Sequence, residues 1–466
     1  MSTHKVDYTA LERALTGQVS YPGDARYNDA VSLWNGAIKR RPAAVAHCRD
    51  AVEVSSAIMF AKDSGCELSI RGGGHNPAGN ALSPGGLTID LSAMREVKVD
   101  PGRRRARCGG GARWLELDAA CQEHGLAVTG GMISHTGVAG LTLGGGVGWL
   151  HAKAGLSCDN LISAQVVTSD GVVVRATESE HTDLFWALRG GGGNFGVVTE
   201  LEFRLTQVGP VVQLGAFFYR PDKAAAMLRF ANELTRTLDD DFGVFIAALN
   251  APAAPFVPPE WQQQLCYVLA VVGFGEPELH AHAVQAIRKA VPPTFELVTP
   301  IPYVELQRMF DASAPWGIHA YEKGLYLEEL TDEVIEVITR NVLQKPTAQS
   351  FVPILALRGA YARAGEGSVA FGGRRSHRYS VNISGLTHDP AQLEPAVAWT
   401  RAFWSELVSH ADGIGSYVNF IFEPDEARVR ASYGPAKYER LAAVKAKYDP
   451  GNLFHLNANI KPASRK

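Results

Sequence analysis

Arg71-Gly72-Gly73-Gly74-His75-Asn76-Pro77-Ala78-Gly79-Asn80 is the stretch whose reading decides the fold. Leu68-Ser69-Ile70 before it is a short apolar, strand-like run, and Leu87-Thr88-Ile89-Asp90-Leu91 after it is another. Glycine serves where backbone must approach something closely or take up a positive φ. Three glycines in a row place His75, a potential imidazole nucleophile, at the edge of such an approach. A glycine-rich loop alone is equally well a tight turn with an incidental histidine. The sequence around it has to decide.

Upstream, residues 43–47 read as a strand. Asp50 is a good N-cap, Val52, Val54, Ala57, Ile58 and Ala61 recur at near-helical spacing, and Gly65 closes the helix. His75 therefore stands just past a β–α–β unit, on a loop held by a rigid scaffold. Downstream come strand runs at 88–91 and 97–99, the cluster Gly109-Gly110-Gly111, and an amphipathic helix over 114–123. The segment 134–148 is glycine-rich and uncharged, yet it carries Val138, Leu141, Leu143 and Val147. A solvated linker of that glycine content would be more polar. Buried glycine-rich backbone leaves N–H and C=O groups in need of partners, and a planar ligand bearing phosphates supplies them. A hairpin follows around Asp170-Gly171, then a short helix at 184–188. Arg189-Gly190-Gly191-Gly192-Gly193-Asn194-Phe195-Gly196 runs into a strand over 197–205.

Near Gly209-Pro210 the texture changes. Helical segments (224–238, 279–291, 332–342, 391–410) alternate with strand-like ones (242–249, 264–272, 356–361, 379–383). The pattern predicts an α+β domain, a mainly antiparallel sheet with helices on one face. The tail reads as one helix over 428–447, then Tyr448-Asp449-Pro450-Gly451-Asn452-Leu453-Phe454. Asn457 and Asn459, two apart in an extended segment, point to one face. Such a pair suits either a heteroaromatic edge or a turn.

Composition narrows the function. The chain has 466 residues, 46% hydrophobic and 20% charged, with 45 basic against 48 acidic side chains. A formal net charge of −3 without charge runs gives no basis for a nucleic-acid or anionic-membrane partner. The opening residues lack a signal-peptide core and no apolar run is long enough to span a bilayer, so a cytoplasmic location is expected. The six cysteines show neither zinc-site nor disulfide spacing, and no metal site is expected.

Taken together, R-G-G-G-H-N-P-A-G (71–79), G-V-A-G-L-T-L-G-G-G-V-G-W-L (137–150), G-L-S-C-D-N (155–160), R-G-G-G-G-N-F-G-V-V-T (189–199) and Y-D-P-G-N-L-F (448–454) resemble the berberine bridge enzyme-like FAD-linked oxidases of the vanillyl alcohol oxidase superfamily. The resemblance implies a PCMH-type FAD-binding domain split in sequence, residues 1–208 with a C-terminal return at 423–466, around an α+β substrate domain at 209–422. It implies FAD joined covalently to His75. The cofactor site would draw on Arg71, Gly72, Gly73, Gly74, Asn76 and Gly79 of the first loop. Ser134, His135, Thr136, Gly137, Gly140, Gly144, Gly145 and Gly148 would form its second wall. Asp159, Asn160, Gly196, Val198, Asn457 and Asn459 would complete it.

Departures from the family pattern sharpen these expectations. Ile133 stands where many members carry a cysteine for a second flavin bond, so a single link through His75 is expected. Leu141 replaces a histidine of the plant-type members. Thr136 leaves room for dioxygen. Tyr417-Val418-Asn419-Phe420 resembles a Y-x-N-Y motif with phenylalanine in place of the tyrosine that acts as base in some members. Tyr417, Asn419, Asn457 and Asn459 are then the catalytic candidates, though an unperturbed phenol has a pKa of about 10. The implied reaction removes hydride from a C–H beside N or O of a small metabolite (an amine, alcohol or phenol of secondary metabolism), with dioxygen reduced to hydrogen peroxide. The alternatives are a dehydrogenase with another acceptor and a flavin-loaded binding protein without turnover. The expected partners are a small molecule and dioxygen, acting on a monomer or homodimer.

Overall fold

The computed structural model describes residues 6–411, 413–423 and 425–464. Its first sheet has four strands in the order Val19–Ser20, Ala44–His47, Leu87–Asp90, Leu68–Arg71, the last three parallel. The helix Ala51–Ser64 makes the crossover. Asp50 caps it by accepting from the amides of Val52 and Glu53, and Gly65 ends it at φ 65°. Ala44–His47 and Leu87–Asp90 are buried along their whole length, as parallel strands covered on both faces must be. Asp90 ties the ends together, bonding His47 Nδ1 at 3.1 Å and Arg71 Nη1 at 3.0 Å. Burial opposes its charge, but the His47 bond and the Arg71 guanidinium prevail and hold the carboxyl at about 2.

A five-stranded antiparallel sheet follows, in the order Val97–Asp100, Arg105–Gly109, Val197–Arg204, Leu161–Val167, Val173–Thr177. Its core gathers Trp114, Leu117, Phe185, Phe195 and Phe203 with Val429, Tyr438 and Leu441 from the C-terminal helices. The end of the chain thus packs on its first half. The single helix expected over 428–447 is instead two, Glu426–Tyr433 and Pro435–Tyr448. Gly434 at φ 74° breaks the first, and Pro435 starts the second because it needs no amide donor there.

The middle of the chain forms a seven-stranded sheet in the order Phe295–Pro302, Val211–Tyr219, Leu265–Gly273, Phe242–Asn250, Val352–Leu357, Arg378–Thr387, His319–Leu327. Every neighbouring pair is antiparallel. Val211–Tyr219 and His319–Leu327 are not legible as alternating runs, because much of their length is buried on both faces, and Phe295–Pro302 is a mostly unburied edge strand carrying two prolines. The strand expected at 356–361 lies earlier, at Val352–Leu357, and Ala360–Arg363 is a helical turn. Alternate side chains serve two layers. Phe217, Tyr219, Ile246, Leu269 and Val271 pack against the helices Ala224–Thr237, Pro277–Ala290, Asp332–Val342 and Leu393–Leu407. Leu214, Ala216, Phe218, Phe245, Val268 and Ala270 face the other way. The sheet is therefore an apolar wall turned toward the glycine-rich half, and a cavity lies against it.

No helix among the described residues is long and apolar enough to cross a membrane. All six cysteines are free thiols.

Candidate active site

The cavity has a volume of about 1080 Å³. Gly72, Gly73, Gly74, His75 and Asn76 line it with Thr136, Gly137 and Gly140, while Gly196, Val198 and Asn457 lie along it and Tyr417, Asn419 and Phe420 close one side. The opposing wall is the inner face of the seven-stranded sheet.

The first loop leaves its backbone donors free. Among the described residues, none of the backbone N–H groups of residues 72–76 has an acceptor. Consecutive unpaired amides form a concave nest for phosphate oxygens, which satisfies groups that otherwise cost free energy when withdrawn from water. Glycine is required for the approach of the second loop. A Cβ on Gly73 would lie 2.4 Å from the Gly137 Cα, where no side chain fits. Gly140 and Gly193 face open space along the cavity, leaving room for a flat ring system. The Asn457 Oδ1 is buried without a partner, an acceptor waiting for a donor.

His75 is boxed in by aromatic rings. Trp34 stacks on it at 5.5 Å between centroids, Trp316 meets it edge-on at 5.5 Å, and the His135 ring lies 4.7 Å away. Trp34 is itself fixed: its amide donates to Gly74 O, its Nε1 to Ala314 O, and its carbonyl accepts from Gly317 N. Burial pushes the His75 imidazole well below its ordinary pKa, and the neighbouring His135 and Arg113 push it the same way. The ring is neutral at physiological pH, the form in which a nitrogen is nucleophilic. Its Nε2 is bonded to His135 Nδ1 at 2.6 Å, and its Nδ1 lies 3.5 Å from Thr136 Oγ1.

Several residues expected at the cofactor are placed elsewhere. Arg71 turns back to Asp90 and Ser32 and buttresses the loop from behind. Gly79 (φ 72°) serves a turn against Ile38. Ser134 bonds Asp311 through both its amide and its hydroxyl. Asp159 receives a two-pronged bond from Arg375, and Asn160 donates to the carbonyls of Ala154 and Leu156. His135 and Asn459 do not line the cavity either, although His135 reaches it through His75. The expectation of free amides along residues 137–148 is corrected in part. Val138–Leu143 is a short helix that satisfies some of its own bonds. Gly144, Gly145 and Gly148 are pressed against Asn419, Phe371 and the Gly130 carbonyl. Their role is close packing around the site, not contact with the cavity.

Tyr417 is corrected as a candidate base. Its hydroxyl oxygen accepts from the amides of Gly146 (2.9 Å) and Val147 (3.3 Å) and from Asn419 Nδ2 (2.7 Å). Burial raises the phenol to about 12 against these bonds. Such a phenol is protonated at neutral pH and turned toward backbone. Asn419 spends its amide on Tyr417 and Leu141 O, and Asn457 spends its own on Gly193 O and Phe454 O. The amide nitrogens of both residues are thus committed to partners within the protein.

The residue that sequence reasoning missed is Glu322. Among the described residues it is the only carboxyl that lines the cavity, and no lysine or arginine lines it. It projects from the strand His319–Leu327. Ser384 Oγ donates to its Oε1 at 3.0 Å, and Asn382 Nδ2 donates to Ser384 at 3.1 Å. Burial raises its pKa, opposed by the Ser384 and Asn382 hydrogen bonds. The available signal was a glutamate within the run Ala320-Tyr321-Glu322-Lys323-Gly324-Leu325, which had not been read as a strand.

A glycine-rich loop with free amides, a boxed histidine and a cavity against an antiparallel sheet belong to a fold that matches the flavoproteins of the vanillyl alcohol oxidase type. Residues 42–177 match the family described as FAD binding domain, and residues 416–461 match the one described as berberine and berberine like. The chain is 30% identical to (R)-6-hydroxynicotine oxidase of Paenarthrobacter nicotinovorans, over 97% of this chain and 98% of that protein. It is also 30% identical to the FAD-linked oxidoreductase pgmH of Aspergillus terreus, over 98% and 96% of the two chains. Its fold matches the crystal structure of 6-hydroxy-D-nicotine oxidase from Arthrobacter nicotinovorans with a TM-score of 0.86 and 27% identity, covering 98% and 99%. Glucooligosaccharide oxidase from Acremonium strictum shares the fold at a TM-score of 0.84 and 21% identity, covering 98% and 100%. The chain belongs to the berberine bridge enzyme-like FAD-linked oxidases. It is an FAD-dependent oxidoreductase of the oxidase kind.

Proposed function

We propose that this enzyme oxidises a small, largely apolar amine, alcohol or phenol at a C–H beside its nitrogen or oxygen, and that Glu322 takes the proton. The observation that carries this reading is the buried carboxyl of Glu322 in a substrate wall that is largely apolar but also holds Asn250, Gln263, Gln349, Asn382 and His388. Phe218, Phe245, Leu297 and Leu355 can cover a hydrophobic body, whereas a sugar would leave hydroxyls unpaired against them. FAD, when bound, supplies the hydride acceptor and passes the electrons to dioxygen, giving hydrogen peroxide. The amides of residues 72–76 would hold its pyrophosphate, and His75 would carry it through one covalent bond. Ile133 lines the cavity where a second link would need cysteine, and no cysteine lines it among the described residues.

Glu322 acts as acceptor of the substrate O–H or N–H proton in its ionised form, with Ser384 orienting the carboxylate. Its raised pKa suits this, because a base works best when its pKa approaches the working pH. It also pairs with a cationic amine, since no other carboxyl lines the cavity among the described residues. Trp34 and Trp316 pack against the His75 ring and fix its orientation, and Tyr417 holds the 146–147 backbone in place.

The test is a panel of cyclic amines, phenols, benzylic alcohols and oligosaccharides mixed anaerobically with the purified protein, with bleaching of the flavin band as readout. Readmission of air with a peroxide assay follows. Bleaching by apolar amines or phenols and peroxide on reoxidation are expected. Bleaching by oligosaccharides alone would overturn the substrate class, and reoxidation by quinones but not by air would make the enzyme a dehydrogenase.

A further inference from the structure

Among the described residues, the His75 ring makes one short hydrogen bond, and it is to another histidine. Nε2 of His75 and Nδ1 of His135 are 2.6 Å apart, close enough that a single proton lies between them. Nδ1 of His75 has only Thr136 Oγ1 at 3.5 Å, too far for a firm bond. The two ring nitrogens are therefore unequal. One is committed to a partner, and the other is left on the side of Thr136, which lines the cavity.

We propose that His135 is the proton acceptor and positioning group for covalent attachment of FAD, and that it directs the bond to His75 Nδ1. The inference rests on the reading that His75 carries the cofactor. With His75 Nε2–H donating to His135 Nδ1, the lone pair of His75 Nδ1 is free to attack the flavin 8α carbon. One methyl C–H bond breaks and a C–N bond forms, leaving two electrons on the flavin. The methyl proton leaves to solvent. The imidazole proton on Nε2, made acidic by the new bond, passes to His135 Nδ1. Dioxygen then takes the two electrons and two protons as hydrogen peroxide.

The surroundings of His135 fit this role. Its pKa is lowered, first by burial; Asp311 opposes that and Arg113 adds to it, so the ring is neutral and able to accept. Trp316 packs on its other side, 6.1 Å between centroids, and holds the ring in place. No second partner occupies His135 Nε2 among the described residues, and the partly exposed residue can return its proton to water.

The experiment uses the full chain purified from flavin-depleted cells and mixed with FAD in air. Intact mass follows the covalent adduct, and nuclear magnetic resonance of the isolated flavopeptide identifies the bonded nitrogen. Wild type, His135→Phe and His135→Ala are compared, the last with and without added imidazole. Adduct formation at Nδ1 in wild type, slowed about a hundredfold in both variants and restored by imidazole in His135→Ala, is expected. Equal rates and the same bonded nitrogen in His135→Phe would overturn the role of His135, as would attachment through Nε2 in wild type. Wild type without any adduct would overturn the His75 reading itself, and the inference with it. Should His135→Ala fail to fold, His135→Phe retains a ring in the box and still decides the outcome, with retention of non-covalent FAD as its folding control.

Discussion

The hydroxyl of Tyr417 accepts a 2.9 Å hydrogen bond from the amide of Gly146, across 271 residues of sequence. This bond, with those from Val147 and Asn419, fastens the returning C-terminal segment to the glycine-rich wall of the cavity. Tyr417→Phe leaves two backbone amides buried without an acceptor. A loss of about 1–3 kcal/mol in stability is expected, read as a lower Tm and weaker FAD retention. Flavin reduction by saturating substrate should stay within a few-fold of wild type. A loss of several hundredfold there would restore Tyr417 as the base.

Glu322→Gln tests the other side of that assignment. It keeps the size of the side chain and its bond with Ser384, but cannot take a proton. Flavin reduction measured by stopped flow is expected to slow by about 10²- to 10⁴-fold. In the wild type the rate should rise with pH as Glu322 ionises, with its midpoint above the ordinary carboxylate range because burial raises that pKa. The variant should lack this limb. A pH profile unchanged by the substitution would remove Glu322 from the chemistry.

Lys445 and Asp449 form an ion pair with no exposure on either side chain, 2.5 Å apart. Lys445 also donates to the carbonyls of Asn194 and Phe454, and Asp449 accepts from the amides of Leu453 and Phe454. The pair thus joins the glycine run at 189–196 to the C-terminal motif. Lys445→Met strands a buried carboxylate, and a cost of about 3–5 kcal/mol is expected in denaturant unfolding. A change below ~1 kcal/mol would show that the pair adds little beyond packing.

Asp118 is fully buried, and burial raises its carboxyl to about 7 although Gln307 donates to it at 2.9 Å. In the unfolded chain it loses its proton near pH 4. Between these values the folded state holds one more proton than the unfolded one. The stability associated with the neutral carboxyl is therefore complete below pH 4 and is lost as pH rises through about 7, by on the order of 2–4 kcal/mol. Asp118→Asn should remove this dependence and gain on the wild type between pH 5 and pH 8 in thermal unfolding. Parallel curves for the two proteins would contradict the assignment.

The sequence by itself determined a great deal near the cofactor. The glycines of residues 72–74, the cap at Asp50, the stop at Gly65 and the aspartate-proline-glycine motif of the tail are local devices, each set by a few adjacent residues. Periodicity and turn chemistry report such devices directly, and the family resemblance is carried by five ordered motifs, at 71–79, 137–150, 155–160, 189–199 and 448–454. The antiparallel sheet with helices on one face was legible for the same reason, through its amphipathic helices. Strands such as His319–Leu327, buried along much of their length, carry no alternation and were not.

Only the tertiary structure decided which groups meet. Tyr417 read as a base from its motif, but two amides of a distant loop occupy its oxygen. Glu322 carries no motif, yet burial and strand register make it the one carboxyl lining the cavity among the described residues. His135 is 60 residues from His75 in sequence and 2.6 Å from it in space. Proton affinity and reactivity are set by burial and by partners brought from far along the chain, and those are properties of the folded arrangement rather than of any local pattern.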